Sequence, residues 1–155
     1  AYTDRLTHPY IEAEDMGLAL IRFKNGAYAT VEGTVNVYPN NLSDALAVFG
    51  ETGTVSVSGK YLDTVERWQF ANGTDSLPGS IEKYAVADMG TGHTPLYRDM
   101  IDAIEHDREP VCSGTEGRKA LELVLGIYES AASGKPVRFP LSHGSTMDYV
   151  GRFDR

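Results

Sequence analysis

Asp4 and His8 stand four residues apart in Asp4-Arg5-Leu6-Thr7-His8. On a helix they would share a face, with the carboxylate orienting an imidazole that acts as general acid or base. Pro9 follows at once and no apolar helix surrounds the pair, so an exposed lead-in loop is expected instead. His93 lies just before Thr94-Pro95. There a histidine can bond a hydroxylated ligand or shuttle a proton, or it can be a loop histidine tied to the backbone. Asn36 and Tyr38 end a strand before Pro39. Strand ends beside loops often hold ligand-binding groups, and ordinary turn chemistry is the alternative. Trp68, the one tryptophan, could stack on a sugar ring or anchor a core or interface.

Other chemistries leave no trace. No Gly-x-Gly-x-x-Gly follows a strand; Gly90-Thr91-Gly92 comes nearest, with Pro95 in the place of the third glycine. There is no P-loop, no His-Glu-x-x-His and no Gly-x-Ser-x-Gly. The histidines at 8, 93, 106 and 143 lack ligand spacing, so no metal site is expected. Cys112 is the single cysteine, which excludes an internal disulfide. A formal net charge of −8 without a basic stripe argues against nucleic acid as partner. No apolar run reaches membrane-spanning length and no leader pattern opens the chain, so a cytoplasmic protein is expected.

The elements that must position these residues follow from pattern. Asp15–Phe23 and Ala27–Tyr38 read as strands joined by Asn25-Gly26, the strongest short hairpin signal. A two-residue loop would pair Lys24 with Ala27. Met16, Leu18, Leu20, Val31 and Val35 would then form the core face. The opposite face, with Ile21, Phe23, Tyr28, Thr30 and Glu32, mixes apolar and polar groups as a subunit interface does. On that register Ile21→Glu is expected to give monomer with the fold intact.

Further strands are expected at Ala45–Phe49 and Thr54–Ser58, with weaker ones at Thr64–Phe70 and 81–86 and a last one at 136–141. Thr94-Pro95 opens a helix with an apolar stripe at Leu96, Tyr97, Met100, Ile101 and Ile104. Ser113-Gly114-Thr115-Glu116 reads as a capping box for a second helix, apolar over most of its circumference and so expected to be deeply buried, with Gly134 as its stop. Strands before helices, without alternation, predict an α+β fold. It would have a large, mostly antiparallel sheet, helices on one face and the other face open for oligomerisation. Residues 1–141 form the expected domain and 142–155 a polar tail.

An ordered set of residues then stands out. Glu14-Asp15 leads into the strand ending Phe23-Lys24-Asn25-Gly26-Ala27. Gly50-Glu51-Thr52-Gly53-Thr54 follows, then His93 before a helix ending Ala103-Ile104, and Arg108-Glu109-Pro110. Gly114-Thr115-Glu116-Gly117-Arg118, Ala120-Leu121-Glu122 and Tyr128-Glu129-Ser130-Ala131 complete it. Their order and spacing resemble the C-terminal domain of the glucose-fructose oxidoreductase/inositol dehydrogenase (Gfo/Idh/MocA) family from Ile11 to Leu141.

The resemblance implies a parent enzyme with an upstream Rossmann domain that binds NAD or NADP. That enzyme would transfer hydride reversibly to or from a hydroxyl-bearing carbon of a sugar, inositol or related polyol. It implies a homodimer or homotetramer through the open sheet face, and substrate lining from Asn36, Tyr38 and His93. No catalytic, cofactor or metal role passes to this chain, which by itself is expected to bind no cofactor and to be inactive. The family's catalytic Asp-x-x-x-His motif is matched in spacing by Asp4 and His8. They sit too close to Glu14-Asp15 to inherit the role. Because Ala1 is not methionine, the chain is expected to begin mid-protein. A stand-alone, non-catalytic binding or assembly module of the same fold is the alternative.

Overall fold

The computed structural model describes residues 1–73 and 93–154. They divide into two compact units, Ala1–Tyr38 with Cys112–Arg155, and Pro39–Val111.

In the first unit β1 (Tyr2–Asp4), β2 (Met16–Arg22) and β3 (Tyr28–Thr34) form an antiparallel sheet in the order β1-β2-β3. The β2–β3 hairpin differs from expectation by one residue. Phe23 N–H donates to Ala27 O at 2.9 Å, so the loop is the three residues 24–26, with Gly26 at φ 93°. Three-residue loops of this kind need a glycine in the left-handed region at their last position. The register becomes Leu18↔Glu32, Leu20↔Thr30 and Ile21↔Ala29. A slip of one residue re-sorts the faces. Leu18 and Leu20, expected in the core, share the open face with Tyr28, Thr30 and Glu32, and Leu20 is 71% exposed. Ala19, Ile21 and Ala29 form the inner face. Ile21 and Phe23 thus leave the expected interface set, and Leu18 and Leu20 take their place on that face.

A long helix lies against the inner face. Ser113 Oγ accepts from Glu116 N–H, and Gly134 ends the helix at φ 68°. This closes half of the expected capping box, because the Glu116 carboxylate reaches Lys119 instead, at 2.5 Å. Ala19 and Ile21 face Leu123, Gly126 and Ile127 across a shared cleft. The helix is less buried than expected: Gly126 alone is fully buried, while Leu121, Leu123 and Val124 stay partly open. One sheet can cover only one side of a helix that is apolar almost all round.

Residues 142–155 are more than a polar tail. A 3-10 helix at Thr146–Tyr149 is held by a capping box between Ser145 and Asp148. Arg152 donates to Ala131 O at 2.7 Å, and Phe153 is buried. Arg5 ties both ends of the unit together by donating to Ile11 O at 2.6 Å and to Phe153 O. The strand expected at 136–141 does not form, since Pro136 and Pro140 cannot donate to a ladder.

In the second unit β4 (Asp44–Phe49), β5 (Gly53–Gly59) and β6 (Thr64–Phe70) form an antiparallel sheet in the order β4-β5-β6. Helix α1 (Thr94–Glu105) starts with Pro95 in its first turn; the long helix Gly114–Ser133 of the first unit is α2. Arg108 fastens the end of α1 by donating to Asp102 at 2.9 Å and to Asp99 at 2.7 Å. Asp99 also accepts from Val111 N–H. The fold is α+β as expected, with two three-stranded antiparallel sheets among the described residues in place of one large sheet. The strand expected at 81–86 lies outside the described residues.

Candidate functional site

The first unit concentrates its polar chemistry on one carboxylate. Asp15 precedes β2, and its side chain is completely buried. A buried carboxylate must have donors, and Asp15 has a full set. Leu6 N–H donates to Oδ1 at 2.8 Å. The N–H groups of Thr7 and His8 donate to Oδ2 at 2.8 Å and 3.0 Å. The Asn36 amide donates to Oδ1 at 2.9 Å, and His8 Nδ1 lies 3.1 Å from Oδ2. Burial pushes the Asp15 carboxyl up. The Leu6 and Thr7 N–H groups, then Asn36 and His8, outweigh it and hold Asp15 well below the usual carboxylate range.

This network explains why residues 5–10 are a loop and not a helix. Three consecutive N–H groups turn onto one carboxylate, and Pro9 ends any helical continuation. Asp4 and His8 therefore do not share a helical face; Asp4 ends β1 and accepts from Arg5 N–H. His8 is not a plain exposed loop residue either. Its side chain is 27% exposed, bonded to Asp15 and packed edge-on against Tyr10 with ring centroids 5.6 Å apart.

A second pair lies on α2. Tyr128 Oη donates to Glu14 at 2.6 Å and its ring stacks on Tyr149 at 5.3 Å. Burial and the Glu14 carboxylate push the Tyr128 phenol up to about 12. Tyr149 Oη donates to Glu129 at 3.1 Å, and its phenol is raised by burial first and Glu129 second.

Of the residues expected to line a substrate, Asn36 is consumed by structure. Its amide nitrogen donates to Asp15, and its oxygen accepts from Thr7 Oγ1. Tyr38 is 96% exposed in the same unit. His93 belongs to the second unit, where it precedes α1 without capping it through its side chain. Asp15, His8 and Thr7 were missed as a constellation. Their signal in the sequence is an acidic residue at a strand start, seven residues after a histidine followed at once by proline.

No group of three or more His, Cys, Asp or Glu among the described residues could hold a metal ion. The described residues do not fit a dinucleotide either. Their strands pair antiparallel, whereas a pyrophosphate cradle needs a glycine-rich turn from a parallel strand into a helix. No helix among the described residues is long and apolar enough to cross a membrane.

Among the described residues, two antiparallel sheets and their helices define a domain of the α+β class. Its family is given by a sequence profile, that of the oxidoreductase family C-terminal alpha/beta domain, which matches residues 1–139. The chain belongs to that family, the C-terminal domain of the Gfo/Idh/MocA oxidoreductases. No curated protein matches the chain in sequence. Among solved structures it is similar to the WlbA dehydrogenase of Bordetella pertussis, a complex with NADH and UDP-GlcNAcA. The TM-score is 0.80 and the identity 33%, over 91% of this chain and 41% of that one. It is also similar to the WlbA dehydrogenase of Chromobacterium violaceum, again with NADH and UDP-GlcNAcA. There the TM-score is 0.75 and the identity 32%, over 92% of this chain and 39% of that one. The chain thus spans about two fifths of the length of these dehydrogenases.

Proposed function

We propose that this chain is the substrate-side and assembly domain of an NAD-dependent dehydrogenase acting on a nucleotide-linked sugar. The observation that carries the reading is the 33% identity over 91% of the chain with a dehydrogenase bound to NADH and UDP-GlcNAcA. The reaction is reversible hydride transfer between nicotinamide and a hydroxyl-bearing sugar carbon. The cofactor is held by a part of the protein outside this chain. Tyr38 and His93 are substrate-lining residues, whereas Asn36 braces Asp15. The open face of the β1-β2-β3 sheet, with Leu18, Leu20, Tyr28, Thr30 and Glu32, is the homo-oligomer interface.

The test is titration with NADH and a UDP-sugar. The 155-residue chain should show no saturable quench or enhancement of nicotinamide fluorescence. The whole gene product should oxidise UDP-GlcNAcA with NAD. Saturable NADH binding by the chain itself, or a whole protein that oxidises free inositol and ignores UDP-sugars, would overturn the reading.

A further inference from the structure

The bonds around Asp15 fix more than a loop. They form a closed ring whose protons can be placed one by one. The end of the Asn36 amide nearest Asp15 lies 2.9 Å from Oδ1 and 3.3 Å from the Asp15 carbonyl oxygen. Both are acceptors, so that end must be the NH2 group. The amide oxygen then faces Thr7 Oγ1, whose only proton goes to it or to Asp15 Oδ2 at 3.5 Å, both pure acceptors. Thr7 Oγ1 consequently has no proton left for His8 Nδ1, 3.0 Å away, and can only accept from it. Asp15 Oδ2, at 3.1 Å, likewise only accepts. Nδ1 therefore carries a proton, and in the neutral ring Nε2 is the bare nitrogen.

Nε2 takes no part in this ring of bonds. The imidazole is thus held in one tautomer and one orientation by a buried carboxylate, the arrangement that elsewhere presets a histidine for its partner. Tyr10, whose ring abuts the imidazole, is 79% exposed and offers an aromatic surface beside it.

We infer that His8 is a substrate-positioning residue whose Nε2 accepts a hydrogen bond from a sugar hydroxyl, with Tyr10 flanking the same sugar. This rests on the reading of the parent protein as a sugar dehydrogenase. It assigns His8 no part in hydride transfer. The role is separable from the clasp, because the two ring nitrogens do different work. Asparagine at position 8 can place an amide N–H where Nδ1 was, but it has nothing at the place of Nε2.

The experiment uses the whole gene product with UDP-GlcNAcA as probe. His8→Asn should keep the wild-type melting temperature and lose about three- to tenfold in kcat/KM, mostly through KM, as expected for one lost neutral hydrogen bond. His8→Ala should show that loss together with a lower melting temperature. Nitrogen-15 spectra of the wild-type imidazole should report the Nδ1–H tautomer, and the Nε2 resonance should move when UDP-GlcNAcA is added. If His8→Asn keeps wild-type kcat/KM on an enzyme that turns over UDP-GlcNAcA, or if Nε2 does not respond to it, the inference fails alone. If the wild type neither binds nor turns over UDP-sugars, the functional reading fails and takes this inference with it.

Discussion

Asp15 stays ionised because the fold aims N–H groups at it before any ligand arrives. A group whose folded pKa is depressed contributes stability above its unfolded value, and that contribution is lost as pH falls through the folded one. With an ordinary value of 3.8 and a much lower folded one, the loss should begin near pH 4 and deepen on further acidification. Asp15→Asn is expected to melt lower than wild type at pH 7, where an NH2 group would face the N–H donors of Leu6, Thr7 and His8. The gap should narrow as pH falls below 4. Melting curves of both proteins across pH 2–7 would check this, and a constant gap would show that the charge of Asp15 is irrelevant. Tyr128 has the opposite sign. Its raised phenol supports the fold fully below its ordinary value of 10, and that support fades as pH rises through about 12. Tyr128→Phe should remove that part of the alkaline dependence in the same kind of scan. Neither carboxylate site was legible beforehand. A sequence shows Asp15 beginning a strand and Glu14 beside it. It does not show that a loop nine residues back will turn its N–H groups inward, or that Glu14 will meet Tyr128 on α2.

Elements were legible where their signals are local. Pro95 opens α1, Ser113 and Gly134 bracket α2, and Asn25-Gly26 marks the hairpin, each through backbone chemistry confined to a few residues. The strand at Thr64–Phe70, a weaker expectation because Glu66 and Arg67 interrupt its alternation, forms over the expected residues with a register shift opposite Ser56 and Val57. Register was not legible, because Phe23 and Lys24 are both acceptable last partners. Gly26 at positive φ decides for the longer loop, and the period of two carries that choice along both strands. Close packing between elements was equally hidden. A Cβ added at Gly126 would run into the Phe139 ring. Exposed glycine-to-alanine changes in helices gain up to about 1 kcal/mol. Here overpacking of about 1–3 kcal/mol should reverse the sign. Gly126→Ala is therefore expected to lower stability in chemical denaturation, and Phe139→Leu in the same chain should recover part of it. A stabilised single variant would mean that the ring moves aside freely.

At the scale of the molecule, the re-sorted faces turn the oligomer question into a contrast between neighbours. Leu20 and Ile21 are adjacent in β2, similar in size and equally apolar, yet they point to opposite sides of the sheet. Leu20, with Leu18 and Tyr28, sits on the exposed face of the sheet, whereas Ile21 faces the cleft beneath α2. If the open face is the subunit interface, Leu20→Glu places a charge between two copies and leaves each copy intact. Light scattering should then show a smaller particle, with an unchanged circular dichroism spectrum and, at most, a concentration-dependent fall in melting temperature. Ile21→Glu instead buries a carboxylate against α2 without a partner, which should cost several kcal/mol and unfold the unit. The hairpin drawn with a two-residue loop makes the reverse forecast, monomer from Ile21→Glu and unfolding from Leu20→Glu. The pair therefore tests register and assembly together. Leu20→Glu that stays fully assembled while Ile21→Glu unfolds would keep the register and remove the interface from this face.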